Sequence, residues 1–433
     1  MSNKREVYIG LMGLGTVGSG VAKVLHAKSE AIASQAGSLL KLKKVLVRDL
    51  TKRRLVDVPH ELLTTDANEI LQDAAIDIVV EVMGGEYPAG DYVQRAIASG
   101  KHVVTANKEL IAKRGPELLR EAQEHGVEVR FEASVGGGIP LIAPFQEDLA
   151  ANRIISIEGI INGTTNYILT QMALEGTDFE VALKQAQELG YAEADPTNDI
   201  EGIDASYKIA ILAMLGFHRI VRPENVYTEG ITRLSARDFR YARELGYAIK
   251  LLAIAKDANG ALQVRVHPAL VADDLLLAKV DGVFNAIQVD GDLVGRVLFY
   301  GRGAGSEPTT SAIVADMIAL TRSIGQGTCG NRVRICLDED KPLQPMSDVE
   351  TRYYFRMQVA DRPGVLAKIA QIFGEHQISI ASFIQKESDE LGQTAEIVIM
   401  THTARESAVQ EALREIRGLP VVSEIGNFIR VEG

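Results

Sequence analysis

Only two cysteines, Cys329 and Cys336, occur in 433 residues, too few for a disulfide framework. Neither has a Cys or His neighbour at ligand spacing, so a zinc site is not expected, and the two read as a pair of buried thiols. No apolar run approaches the ~18 residues that mark a membrane span. The opening "MSNKREVYIG" lacks the apolar core and small-residue cleavage site of a signal peptide. These two absences lead us to expect a cytoplasmic protein with no membrane partner. There is also no long block of one charge sign, and a net charge of -12 argues against a nucleic-acid or anionic-membrane surface. The eight histidines show no metal-ligand spacing, and His218 and His267 read as satisfied core or surface residues. What is present, 46% apolar and 24% charged, describes an ordinary globular chain of two or three domains.

The first of these begins with "VYIGLMGLGTVGSGVAKVL", a short apolar run followed by Gly13, Gly15 and Gly18 in G-x-G-x-x-G order and then by valines at helical spacing. Strand, glycine turn and helix in that order suit a dinucleotide. One glycine makes the turn, one lets backbone N–H groups approach a pyrophosphate, and one packs helix on strand, with Thr16 and Val17 opening the helix. A second strand, "KKVLVRDL", ends in Arg48 and Asp49, where the adenosine ribose would lie. Arg48 suits a 2'-phosphate and Asp49 a free 2'-hydroxyl, so NADP and NAD both stay open. The gap between the glycines and Asp49 is attributed to a first helix extended by "HAKSEAIASQAGSLLK".

Three more β-branched runs, "AIDIVVEVMGG", "KHVVTANK" and "GVEVRFEASVGGG", give five strands alternating with helices and so a parallel, doubly wound sheet. Ligands of such sheets bind beyond the carboxyl ends of the strands. That rule brings Glu81, Gly84, Gly85, Thr105, Asn107, Lys108, Glu132 and Ser134 to one crevice.

The stretch "YAEADPTNDIEGIDASYKIAILAML" opens acidic and ends apolar. On a helix starting near Ile203, Asp204 and Lys208 share a face, and Ile203, Ile209, Ile211 and Met214 make the remainder apolar. A largely buried helix of this kind leaves its ammonium three options: a cleft, a partner in Asp204, or loss of charge. Partial desolvation lowers the pKa of an ammonium, which suits a proton donor to a developing alkoxide. The ordinary structural alternative is an i,i+4 salt bridge on a half-exposed helix.

"GLGTVGSG", "TANKELIA", "EASVGGGIPLI", "GIINGTTNYILTQM", "GYAEADPTNDIEGIDASYKIAILA" and "GRGAGSEPT" together resemble bacterial homoserine dehydrogenases over residues 7–330, in that family's order and spacing. The resemblance implies interconversion of L-aspartate 4-semialdehyde and L-homoserine with a nicotinamide cofactor, on the route to threonine, methionine and isoleucine. By carry-over Lys208 is the acid/base lysine, Lys108 a second lysine near cofactor and substrate, and Glu193 and Asp204 the carboxylates that hold the substrate. The resemblance also implies a sodium-type ion on the carbonyls of Glu132, Val135, Gly137 and Ile139, and cofactor contacts at Ser134, Gly190 and Gly303. The family's second domain is α+β, a mixed sheet that binds substrate and forms a dimer, here residues 151–304. The chain then returns to the first domain, residues 1–150, through a helix in 305–330. A homodimer or homotetramer is the expected assembly.

After the polar stretch "CLDEDKPLQPMSDVETR", residues 350–433 give a β-α-β-β-α-β order, a ferredoxin-like pattern. The "DRPGVL" turn looks like an ACT domain, a module that binds free amino acids. Threonine, the branch end product, is the expected effector, with Asp361 and Gly364 near the helix start as contacts. A kinase domain ahead of residue 1 is not expected. Two alternatives share these folds: a dehydrogenase of another amino-acid carbonyl, and a non-catalytic amino-acid or nucleotide sensor. The spacing of Glu193, Asp204 and Lys208 disfavours the first, and retention of both lysines and both carboxylates the second.

Overall fold

The computed structural model describes residues 6–258, 260–329, 342–389 and 393–432. Cys336 lies outside them, and Cys329 is partly exposed rather than buried, because it follows the exposed end of the helix Ser306–Gln326. The chain divides into two compact units. No helix among the described residues is long and apolar enough to cross a membrane.

The first unit comprises Met1–Ile154, Tyr207–Glu224 and Val289–Asp340. Its parallel sheet runs Leu63–Thr64, Leu39–Leu46, Glu6–Met12, Ile78–Glu81, His102–Thr105, Val129–Arg130, the doubly wound order 3-2-1-4-5-6. Strands covered on both faces read as unbroken apolar runs, and Ile78–Glu81 is buried at every position. The return helix Ser306–Gln326 joins the same core, its Ile313, Met317 and Leu320 clustering with Val7, Ile9 and Leu25.

Three sequence expectations change here. The sheet has a sixth strand, Leu63–Thr64, whose two residues are too short to carry a period. The expected helix extension is instead a second helix, Ser29–Ala36, set off from Thr16–Ala27 by the non-helical Lys28 (φ -116°) and stopped at the left-handed Gly37 (φ 76°). Its neighbour strand then starts at Leu39. The fifth expected strand shrinks to Val129–Arg130, because the following residues turn as Glu132–Ser134 and the left-handed Gly136 and Gly137 cannot continue an extended chain.

The second unit comprises Ile155–Ser206, Asn225–Gln288 and Lys341–Gly433. Its main strands form a mixed sheet that runs in the order Phe284–Gly291, Ile154–Ile160, Tyr247–Ala258, Ala261–Ala272, Val422–Glu432, Glu350–Ala360, Thr394–Thr401, Ile380–Asp389. The last four form, with the helices Val365–Glu375 and Glu406–Arg417, the expected β-α-β-β-α-β module around Phe355, Ile369, Phe373 and Val409. Its final strand also pairs in parallel with Ala261–Ala272, Arg430 opposite Ala269, so that one sheet continues from that strand into the C-terminal module.

Candidate active site

In the first unit, the strand Glu6–Met12 gives way to Gly13, whose φ of 103° only glycine adopts readily. A Cβ on Gly18 would fall 2.1 Å from the Gly13 carbonyl oxygen, so the third glycine is needed for helix to lie on turn. Gly15 is different: a Cβ there meets nothing within 4 Å. It is the N-cap of the helix Thr16–Ala27 and offers no side-chain cap to that helix's first N–H groups. Open space in front of uncapped amides fits the pyrophosphate of a dinucleotide. Thr16 is exposed with its carbonyl accepting from Ser306 Oγ (3.1 Å), and Val17 is half-buried.

At the end of the second strand Arg48 is exposed. Asp49 uses Oδ1 to accept from the Thr51 hydroxyl (2.7 Å) and amide (2.8 Å), which holds its carboxyl below the usual carboxylate range.

The polar residues at the next strand ends brace one another. Glu81, fully buried, accepts from the amides of Met83 (2.7 Å) and Gly84 (3.2 Å) through Oε1 and from the Thr105 hydroxyl (2.6 Å) through Oε2. Asn107 donates from Nδ2 to the Gly85 carbonyl (2.7 Å) and caps the helix Lys108–Glu124 by accepting from Leu110 N (3.1 Å). This frame sets Lys108 at the first position of a seventeen-residue helix at the edge of the sheet.

Glu132 spends its side chain on the backbone. Oε1 accepts from the amides of Leu141 (2.6 Å) and Ile142 (2.9 Å), and Oε2 from Ala143 (2.8 Å). The ion expected from the sequence would use its carbonyl oxygen, not this carboxylate. Val135 and Ile139 are buried, and a Cβ on the left-handed Gly137 would lie 2.5 Å from the Gly303 carbonyl oxygen, so two glycine loops touch here. Such a loop offers carbonyl oxygens, the donors a hard monovalent cation takes. Among the described residues no group of three or more His, Cys, Asp or Glu could hold a metal. Ser134 is buried and donates to the Phe131 carbonyl (2.6 Å).

In the second unit, Asn162 caps the helix Gly163–Glu175 by accepting from Thr165 N (2.9 Å). Its Nδ2 donates to Asp199 Oδ1 (2.7 Å) and to Asp204 Oδ2 (2.9 Å). Asp199 sits on a short helix, Thr197–Ile200, where the sequence reading has a loop. Asp204 lies in the first turn of the helix Ile203–Phe217, which runs on into the first unit at Tyr207; Lys208 follows one turn along that helix, and the two are 3% and 8% exposed. Every residue from Lys208 to Leu215 is buried. Glu193 is exposed, its carbonyl accepting from Gln187 Nε2 (3.1 Å), and Gly190 is left-handed after the helix Phe179–Glu188.

The structure therefore brings Asp204 together with two residues the sequence reading did not single out, Asn162 and Asp199. The motif "INGTTN", an Asn followed by a helical run, signals the cap but not the contacts of Asn162 with the two carboxylates. In the C-terminal module, Gly364 (φ 89°) is the N-cap of Val365–Glu375 and Asp361 is exposed, its amide donating to the Gln393 carbonyl (2.8 Å).

Comparison with known proteins fits this geometry. Residues 13–132 match the family model described as "Homoserine dehydrogenase, NAD binding domain", residues 140–318 "Homoserine dehydrogenase", and residues 353–421 "ACT domain". Homoserine dehydrogenase of Synechocystis sp. is 48% identical over 98% of this chain and 99% of that protein, and that of Bacillus subtilis 43% identical over 99% of each. Among solved structures, a homoserine dehydrogenase from Thiobacillus denitrificans superposes with a TM-score of 0.92 at 45% identity, covering 100% of this chain and 99% of that one. A hyperthermophilic archaeal homoserine dehydrogenase in complex with NADPH gives a TM-score of 0.63 at 29% identity, covering 73% of this chain and 98% of that one. On this evidence the chain belongs to the homoserine dehydrogenase family, oxidoreductases of amino-acid biosynthesis with a nicotinamide-binding domain, here carrying a C-terminal ACT domain.

Proposed function

We propose that this enzyme interconverts L-homoserine and L-aspartate 4-semialdehyde with Lys208 and Lys108 managing the proton and with Glu193 and Asp204 holding the substrate's ammonium. The observation that carries the reading is the buried helix Ile203–Phe217, which sets Asp204 and Lys208 one turn apart, with Asp199 joined to Asp204 through Asn162. Carboxylates bind the charge that every free amino acid carries. The lysine a turn away takes the hydroxyl proton as the alcohol is oxidised and returns it to the alkoxide oxygen in the reverse direction. The nicotinamide, when bound, accepts or supplies the hydride. Gly13, Gly15, Thr16, Val17 and Gly18 hold its pyrophosphate, with further contacts from Lys108, Ser134, Gly190 and Gly303.

Arg48 and Asp49 are both exposed beyond the second strand, Asp49 with Oδ1 engaged by Thr51, so a 2'-phosphate and a free 2'-hydroxyl each have a partner there and both NADP and NAD stay open. Sodium is assigned to the carbonyls of Glu132, Val135, Gly137 and Ile139 on the chemistry of that loop. Threonine is assigned to the ACT domain, residues 350–433, near Asp361 and Gly364, and feedback inhibition to its binding. The dinucleotide domain is assigned to residues 1–150 with 305–330, the substrate and dimerisation domain to 151–304, and the working assembly to a cytoplasmic homodimer or homotetramer.

Homoserine-dependent reduction of NADP and of NAD, measured in parallel on the purified chain with sodium or potassium and with or without threonine, tests the reading. Turnover with homoserine and either cofactor, slowed by threonine, supports it. No turnover with either cofactor sinks it.

A further inference from the structure

We infer that Asn162 is a positioning residue of this site: its amide fixes the separation of Asp199 and Asp204, so that the two carboxylates face an amino-acid ammonium as one anionic surface. The inference rests on the functional reading above and goes beyond it by giving a role to a residue outside the proposed substrate and proton-transfer set.

Asn162 is 5% exposed, and its side chain meets three elements at once. Oδ1 accepts from the Thr165 amide (2.9 Å) and hydroxyl (3.1 Å), at the start of the helix Gly163–Glu175. Those contacts fix which end of the amide faces the helix, since the opposite orientation would set NH2 against an N–H donor and oxygen against two carboxylates. Nδ2 therefore points at Asp199 and Asp204, and its two hydrogens are both spent, at 2.7 and 2.9 Å.

Capping alone does not call for this arrangement. An N-cap needs an acceptor, which Ser, Thr or Asp supplies as well as Asn. The two donors are surplus to the cap, and they land on carboxylates 37 and 42 residues away in sequence. Carboxylates sharing one nitrogen repel each other, and a neutral double donor between them offsets that repulsion without cancelling their charge. A Lys or Arg in its place would neutralise the pair and compete with the substrate's ammonium. A Ser would supply one hydrogen for two acceptors. On the far side, Ile231 N donates to the Ile200 carbonyl (2.8 Å) and holds the short helix that carries Asp199.

The test compares Asn162→Ser and Asn162→Asp with the wild type. Both variants keep a capping acceptor, and neither can donate twice. We expect each to melt within a few degrees of the wild type and to bind the dinucleotide unchanged, while KM for homoserine rises about tenfold or more and kcat falls far less, as loss of a charge-assisted hydrogen bond in binding requires. Asn162→Asp, which adds a third carboxylate, should raise KM further than Asn162→Ser. If Asn162→Ser does not fold, the capping-competent Asn162→Asp carries the comparison. An unmoved KM in a folded variant, or a fall in kcat and melting temperature at constant KM, would overturn the inference and return Asn162 to a cap. These outcomes presuppose an active wild type. An inactive one would overturn the functional reading and this inference with it.

Discussion

Arg430 and Glu229 form a two-point ion pair, Nη1 to Oε2 at 3.0 Å and Nη2 to Oε1 at 3.1 Å, with the arginine fully buried. The same guanidinium also holds Glu406 through Nε (2.9 Å) and Nη2 (2.7 Å). Arg430 lies on the last strand of the ACT domain, whereas Glu229 follows the strand Tyr227–Thr228 beside Ala261–Ala272. Two residues on, Ile231 bonds the Ile200 carbonyl, which ties the ACT sheet by covalent and hydrogen-bonded steps to the segment carrying Asp199.

Removing that guanidinium leaves the Glu406 carboxylate, 3% exposed, with the neutral donors Tyr353 and Gln410 but without Arg430's charge. Arg430→Met is therefore expected to cost about 3–5 kcal/mol in urea unfolding, the usual penalty for breaking a buried pair on one side. Adding Glu406→Gln should restore part of the loss, and a double variant no more stable than the single one would contradict the pairing.

The glycine turn yields a contrast between neighbours. Gly15→Ala puts its methyl into open space and should leave the melting temperature unchanged while weakening dinucleotide binding about tenfold or more, read by nicotinamide fluorescence. Gly18→Ala drives a methyl onto the Gly13 carbonyl and should lower the melting temperature as well.

Glu132 receives three backbone N–H groups on two oxygens. Glu132→Gln replaces one acceptor by a donor that faces an amide, and a loss of about 1–3 kcal/mol is expected. An unchanged unfolding midpoint would show that the carboxylate is not needed to hold residues 141–143.

Burial holds the His267 imidazole well below its ordinary 6.5, and the Arg430 and Arg265 charges add to this. The neutral ring accepts from Arg265 Nε (3.1 Å) and donates to the Pro268 carbonyl (2.9 Å). An unfolded chain takes up a proton near pH 6.5 that the folded one refuses, so this contribution is intact above 6.5 and is lost as pH falls below it. The loss approaches about 1.4 kcal/mol per pH unit for one proton. Urea unfolding between pH 7.5 and 5.5 should therefore fall more steeply for the wild type than for His267→Gln.

The sequence made the Asp204 and Lys208 relationship readable because a helix converts four-residue spacing into a shared face, and the apolar run after Lys208 announced burial. The glycine turn was readable for a similar reason, since its chemistry is local. Asn162 was not, because its donors meet Asp199 and Asp204 only after the chain folds back over 37 and 42 residues. Spacing does not reveal that the Glu132 carboxylate, as distinct from the carbonyl assigned to an ion, is engaged by three backbone amides, or that the Glu81 carboxylate is engaged by two amides and by Thr105. The break at Lys28 and the two-residue strand Leu63–Thr64 fall below the length at which a period can be read.

Lys208 is the group on which the account most depends. The direct test is the rate of homoserine oxidation by Lys208→Ala, with Lys108→Ala alongside and dinucleotide binding measured for both. The account predicts that Lys208→Ala binds the cofactor normally and loses about 10²-fold or more in kcat, the scale of a missing acid/base group. A folded Lys208→Ala that oxidises homoserine at the wild-type rate would contradict it and leave that lysine as the far end of a salt bridge with Asp204.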